Sequence, residues 1–214
     1  MNVLSLFDGL SGGQIALDRL GIKVDNYYAS EIDKYAISVA KHNYPNMTHL
    51  GDVQFVTKET FGNNKIDMLI GGSPCQGFSF AGKQLNFDDE RSKLFFEYVR
   101  LLKELKPKYF FLENVVMKKE SQDVISEMLG VQPIKINSKT LSAQSRGRLY
   151  WTNIPNVTQP KDKGLLLKDI LQDEFLDKYI LSDKIQDRLK ITNDDIPTNS
   201  TIGTTAPSFR TIGQ

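Results

Sequence analysis

The chain has almost no cysteine and almost no histidine. A single cysteine, Cys75, in 214 residues rules out an internal disulfide and any metal site of the multi-cysteine kind. His42 and His49 are the only histidines, so neither a zinc enzyme nor any other metal protein is expected. No run of eighteen apolar residues occurs, and the start Met1-Asn2-Val3-Leu4-Ser5-Leu6-Phe7 lacks the basic, apolar and cleavage regions of a signal peptide. A cytoplasmic protein with no membrane partner is the expectation. Charge of one sign is also scarce: the net value is +1 at pH 7, so a case for nucleic acid has to come from local patches. What is present is an ordinary globular composition, 40% hydrophobic and 25% charged. That suffices to bury a sizeable core in one main domain with a short appendage.

The cysteine stands in Gly71-Gly72-Ser73-Pro74-Cys75-Gln76-Gly77-Phe78-Ser79. This stretch follows Ile66-Asp67-Met68-Leu69-Ile70, a short apolar run that reads as a buried strand. Open α/β sheets place their chemistry just beyond such strand ends. A free cysteine is often only a small core hydrophobe. Here, however, glycines on both sides allow close approach of a bound molecule, and Pro74 fixes the backbone immediately before the sulfur.

Read from the start, Val3-Leu4-Ser5-Leu6-Phe7 is a strand, Asp8-Gly9-Leu10-Ser11-Gly12-Gly13 a glycine-rich turn, and Gln14 to Leu20 a helix stopped by Gly21. Strand, glycine turn and helix open a Rossmann-like nucleotide site or form a plain tight turn; the spacing is not G-x-G-x-x-G. Val24 to Ser30 reads as a second strand, with Glu31 at its end about 20 residues beyond the turn, where an acid accepts hydrogen bonds from a ribose. Alternatively, Glu31 caps the helix Lys34 to His42. Asp52, after a third short strand, is either an acid within reach of an adenine amino group or a solvated loop residue.

Phe80 to Arg91 reads as a long loop beside the cysteine. Ser92 to Lys106 is a helix whose stripe Leu94, Phe95, Tyr98, Leu101, Leu102 and Leu105 belongs to the core. Tyr109-Phe110-Phe111-Leu112 is a further apolar strand, ending in Glu113-Asn114-Val115. Glu113 is a proton donor in line with the cysteine strand, or a structural acid bonded to backbone N–H groups. Gln132 to Asn137 reads as a strand. In Gln144-Ser145-Arg146-Gly147-Arg148 the two arginines point to one side if the segment is extended, suiting a phosphate or a base edge; a solvated face is the alternative.

The series Phe7-Asp8-Gly9…Gly12-Gly13, Glu31, Asp52, Pro74-Cys75-Gln76, Glu113-Asn114-Val115 and Gln144-x-Arg146-x-Arg148 resembles the motif series of DNA cytosine-5 methyltransferases. Matching positions run from about Val3 to Pro155. Leu4 to Gly9 and Arg91 to Glu97 are also similar to the catalytic domains of the animal de novo enzymes, while Gln76 after the cysteine is the bacterial and phage form, found in restriction-modification. The resemblance implies a Rossmann-like class I S-adenosylmethionine-dependent methyltransferase fold, an α/β architecture with a mostly parallel sheet flanked by helices. It implies that Cys75 attacks carbon 6 of a flipped-out cytosine in double-stranded DNA, that Glu113 supplies the proton at the ring nitrogen, and that Arg148 supports the base or the Glu113 side. Arg146 then binds near the flipped nucleotide's phosphate, and Gln76 and Ser79 lie on the DNA side. For S-adenosylmethionine it implies Phe7 and Ile32 against adenine, Glu31 on the ribose, Asp52 and Val53 at the adenine edge, Asp8, Gly9 and Gly12 along the methionine part, and Pro74 and Leu94 lining the same pocket.

The family's target-recognition region and last two motifs are not found. The expected division is therefore a catalytic and cofactor-binding domain over residues 1–160 and a short helical appendage with a flexible tail over 161–214. The appendage has helical segments at Leu165 to Leu171 and Ser182 to Ile191, then a polar tail. A second subunit or self-association supplying recognition is one reading, and an inactive binding module is the other. The cysteine position is that of the DNA enzymes rather than of the RNA-methylating relatives.

Overall fold

A computed structural model describes residues 1–73, 90–171, 182, 183, 185, 202 and 203. Pro74, Cys75, Gln76 and Ser79, most of the expected Ser182 to Ile191 helix and nearly all of the tail lie outside the described residues. In chain order the elements are β1 (Asn2–Leu6), α1 (Gly12–Arg19), β2 (Asn26–Ser30), α2 (Lys34–Asn43), β3 (Thr48–His49), β4 (Met68–Gly71), α3 (Glu90–Leu105), β5 (Tyr109–Val115), α4 (Lys119–Leu129), β6 (Ile134–Asn137), β7 (Gln144–Ser145), β8 (Gly147–Thr152) and β9 (Ile202–Gly203).

The main sheet runs β3-β2-β1-β4-β5-β8-β6. β1 pairs in parallel with β2 and β4, β2 with β3 and β4 with β5, while β8 is antiparallel to β5. β1 lies inside the sheet between β2 and β4, and Val3, Leu4, Ser5 and Leu6 are all buried, as a parallel strand covered on both faces requires. Its alternation separates two apolar clusters. Leu4 and Leu6 join Phe95, Tyr98, Leu101, Ile125, Leu129 and Trp151 on one face, and Val3 joins Leu17, Tyr27 and Ala29 on the other. The α/β architecture, a mostly parallel mixed sheet with flanking helices, is the one expected from the sequence. Among the described residues no helix is long and apolar enough to cross a membrane.

Three local readings change. The helix α4 has no counterpart in the sequence reading, because its buried face is built partly of serines: Ser121 and Ser126 lie inward beside Ile125 and Leu129. Ser126 Oγ donates to Gln122 O and accepts from Trp151 Nε1, satisfying both buried groups. The helix expected over Leu165 to Leu171 is one 3₁₀ turn, Leu167–Asp169. Asp169 bonds back to the Leu166 N–H at 2.9 Å and closes that turn, and Ile170 and Leu171 are exposed with no face to bury. The cap of α2 is Asp33, whose carboxylate accepts from the Tyr35 and Ala36 N–H groups; Glu31 is occupied elsewhere.

The chain divides into two compact units, Met1–Lys135 with Arg148–Thr158, and Ile136–Gly147 with Gln159–Gln214. The second contains β7 and β9, paired in parallel.

Candidate active site

The first unit carries two constellations. At the end of β1 the chain turns sharply: Phe7, Gly9 and Ser11 all have positive φ, 56°, 57° and 62°. Two of these are not glycine, a strain that a turn sustains only when its surroundings hold it. The holding groups are visible. Asp8 accepts from Tyr27 Oη at 2.8 Å and from Ser11 Oγ at 2.6 Å. Burial first, and then the Asp8 charge, push the Tyr27 hydroxyl well above the ordinary phenol range, so it stays protonated and donates. Gly13 makes room for that hydroxyl, since a Cβ there would lie 2.8 Å from Tyr27 Oη. The Ser11 side chain is committed to Asp8 and makes no cap bond to α1.

Glu31, at the end of β2, ties this turn to the next strand. It accepts from the N–H groups of Gly9, Ile32 and Asp33 at 2.8, 2.8 and 2.9 Å. Three of its roughly four acceptor positions are therefore filled, and one remains for a ligand hydroxyl. Beside it opens a pocket of about 190 Å³ lined by Phe7, Ser30, Glu31, Ile32, Gly51, Asp52, Val53 and Leu94. Six of these eight are residues expected at the cofactor, brought together from the ends of β1 and β2, the turn after β3, and α3. The wall is largely apolar, with the two carboxylates of Glu31 and Asp52 at its rim. Asp52 also accepts from the Gln54 N–H and so opens the 3₁₀ turn Val53–Phe55. Arg100 of α3 fixes that turn from behind, donating to Val56 O at 2.8 Å while paired with Glu97 and Glu104.

The second constellation lies on β5 and β8. Their antiparallel register sets Glu113 opposite Tyr150 and Val115 opposite Arg148, so Glu113 and Arg148 are diagonal neighbours on one face. Arg148 Nε meets Glu113 Oε1 at 2.7 Å, the side chains being 15% and 31% exposed. The arginine is the more covered partner and the carboxylate the more open. Next along the same face, Phe111 and Tyr150 rings lie 5.2 Å apart. Gly72 is close by: a Cβ there would stand 3.1 Å from Glu113 Oε2. Asn114, on the opposite face of β5, reaches Ser73 O and Oγ at 3.4 Å. The chain thus leaves β4 pinned against the Glu113 strand end, and Gly71 below it lies so near the Tyr98 ring that a Cβ would clash at 2.8 Å.

Arg146 belongs to the second unit, separate from Arg148, and its side chain is exposed. Gly12 is exposed at the start of α1. Sequence reasoning missed Tyr27, Ser11 and Gly51. Tyr27 reads as one more aromatic in an apolar strand, and nothing in its spacing marks the hydroxyl.

Open α/β sheets bind ligands outside the carboxyl ends of their strands. The pocket and the Glu113–Arg148 pair both sit there, on a sheet of Rossmann-like α/β architecture. Comparison narrows the class: the chain belongs to the C-5 cytosine-specific DNA methylase family, whose profile matches residues 1–206. It is 36% identical over 188 residues to the orphan methyltransferase M.SPRI of Bacillus phage SPR, covering 80% of this chain and 42% of that protein. It is 31% identical over 232 residues to the type II methyltransferase M.HhaI of Haemophilus parahaemolyticus, covering 100% of this chain and 67% of that one. A solved structure of a mutant DNMT2 from Spodoptera frugiperda shares the fold, with a TM-score of 0.68 at 22% identity over 90% of this chain and 66% of that chain. The chain spans less than half of M.SPRI and 52% of M1.ScrFI of Lactococcus lactis.

Proposed function

We propose that this chain transfers a methyl group from S-adenosylmethionine to carbon 5 of a cytosine in double-stranded DNA, acting in the cytoplasm through a covalent Cys75 adduct. The observation that carries the reading is the Glu113–Arg148 pair, 2.7 Å apart, beside the glycine from which the chain proceeds to Cys75. Cys75 follows Ser73 by two residues in the sequence.

The residues present fit the cofactor. Phe7, Ile32, Val53 and Leu94 offer an apolar slot for a heterocycle, Glu31 an open acceptor for a ribose hydroxyl, and Asp52 an acid for an exocyclic amine. The uncapped first turn of α1, at Gly12, with Asp8 and Gly9 before it, suits the charged methionine end. When bound, S-adenosylmethionine supplies an electrophilic methyl group.

The chain's own groups prepare the acceptor. The Cys75 thiolate adds to carbon 6, and Glu113, oriented by Arg148, delivers a proton to the ring nitrogen, so carbon 5 becomes nucleophilic. After methylation a base takes the proton from carbon 5, the electrons of that bond expel Cys75 from carbon 6 as a thiolate, and the ring nitrogen returns its proton to Glu113. A base inside a duplex cannot be reached this way, so the cytosine is extruded, with Arg146 on the flanking phosphate and Gln76 and Ser79 on the DNA side.

The test is methyl transfer from radiolabelled S-adenosylmethionine to mixed-sequence duplex DNA by the purified chain. Cys75→Ser and DNA carrying 5-fluorocytosine complete the design. Incorporation, and a trapped adduct, are expected from the unaltered chain and not from Cys75→Ser. An adduct formed by the serine variant would sink the assignment. Cofactor binding without incorporation would favour the alternative, a catalytic subunit that needs a second subunit or a second copy for recognition.

A further inference from the structure

Within the second unit a polar knot surrounds the backbone of Arg146. The Asn137 side chain is at its centre. Its Oδ1 accepts from the N–H groups of Lys139 and Arg146, both at 3.0 Å, and its Nδ2 donates to Ser145 Oγ at 3.2 Å. The Arg146 carbonyl in turn accepts from the Ser138 N–H at 3.2 Å. Both backbone polar groups of Arg146 are therefore held by residues 137 and 138. Ser138 Oγ donates to Gln144 O at 2.6 Å, and β9 adds a strand against Gln144–Ser145.

Gln159 braces the knot from the other end of the unit. Its Oε1 accepts from the Asn137 N–H at 2.7 Å, and its Nε2 donates to Thr140 Oγ1 at 2.7 Å and to Asn137 O at 3.2 Å. Every one of these bonds ends on the backbone or on a short polar side chain, and none touches the Arg146 guanidinium, which stays exposed. An arginine whose chain is fixed and whose head is open is prepared for an anion, because less freedom is lost when it binds.

We infer that Asn137 is the positioning residue of Arg146, setting the guanidinium for a DNA phosphate. The inference rests on the DNA reading above and deepens it. Asn137 touches no reacting atom; it acts through the Arg146 backbone.

Two measurements on the full chain test it, with the variants Asn137→Ala, Asn137→Asp, Arg146→Ala and the double alanine. The first is amide hydrogen exchange. In Asn137→Ala the Arg146 amide should exchange about fivefold faster or more, the effect of one lost hydrogen bond, while amides of β1 and β4 are unchanged. Asn137→Asp keeps an acceptor oxygen and should restore most of the protection. The second is the salt dependence of binding to mixed-sequence duplex DNA. Arg146→Ala should reduce the slope of log affinity against log salt by about 0.9, one phosphate contact. Asn137→Ala should weaken binding several-fold with cofactor affinity unchanged, and the double variant should bind no worse than Arg146→Ala alone.

Unchanged exchange at Arg146 in Asn137→Ala overturns the inference, as do additive losses in the double variant. An unchanged slope in Arg146→Ala, with exchange behaving as expected, instead removes the phosphate contact and the inference's purpose with it. The two failures are thus told apart.

Discussion

The two compact units hold their functional side chains by different means. In the first, polar groups stand at or near the ends of strands whose apolar residues are buried: Asp8 and Glu31 follow β1 and β2, and Glu113 lies two residues before the end of β5, which buries Phe110 and Leu112. In the second, Thr140 and Ala143 are the buried residues among those described, and order comes from amide and hydroxyl bonds centred on Asn137 and Gln159. A polar group mounted on a core can be removed without unfolding its support. A polar group that is itself the support takes the order of the backbone it holds with it when it is removed.

The largest effect tests the apolar mount. Trp151 of β8, opposite Leu112 in the register, is fully buried, and its Nε1 donates to Ser126 Oγ of α4. Trp151→Ala opens a cavity and removes the bond that Ser126 Oγ accepts, so it should lower stability by about 3–5 kcal/mol, read as a fall in the urea midpoint. A loss below about 1 kcal/mol would mean that the first unit does not depend on its core as described.

A smaller effect sharpens the same contrast. Glu31→Ala removes the acceptor proposed for the ribose and three bonds to backbone N–H groups. S-adenosylmethionine binding should weaken by about 1–2 kcal/mol, with the urea midpoint little changed because β1 and β2 are held by the core. Calorimetry reads the first quantity. Unchanged affinity would take Glu31 out of the pocket's function, and cooperative loss of both would show that the turn, not the core, carries this end of the sheet.

How much of this was legible in the sequence follows the same divide. Parallel strands covered on both faces read as continuous apolar runs, so β1, β4 and β5 stood out, and the acids Glu31 and Glu113 stood out at their ends. The stripe of α3 was legible for the same reason, with Phe95, Tyr98 and Leu101 buried as its spacing required. What escaped was polar. The buried serines of α4 break the apolar period that signals a helix, the Tyr27 hydroxyl looks like an aromatic strand residue, and the bonds between Asn137 and Gln159 join residues 22 apart that share no pattern. Three leucines in a row, Leu165 to Leu167, mislead in the other direction, because apolar residues without a covering partner need not form a helix.

The smallest effect concerns a polar group that fits neither means of support. His49 lies in β3 of the first unit, and both its ring nitrogens are buried without a hydrogen-bond partner. Burial, and then Lys41, hold its pKa below the usual 6.5, with Asp8 acting the other way. The folded state therefore binds fewer protons than the unfolded chain once the pH falls below about 6.5, and stability rises with pH in that window. On acidification the unfolded chain gains a proton that the folded chain refuses, so stability falls from about pH 6.5 until the lowered folded value is passed, and there the loss levels off. His49→Gln removes the titration, so its urea midpoint should drop less than that of the unaltered chain between pH 7.5 and 5.5. Equal drops would show that His49 has partners in solution, and that even this orphaned group of the core-mounted unit is satisfied as fully as the knot around Asn137.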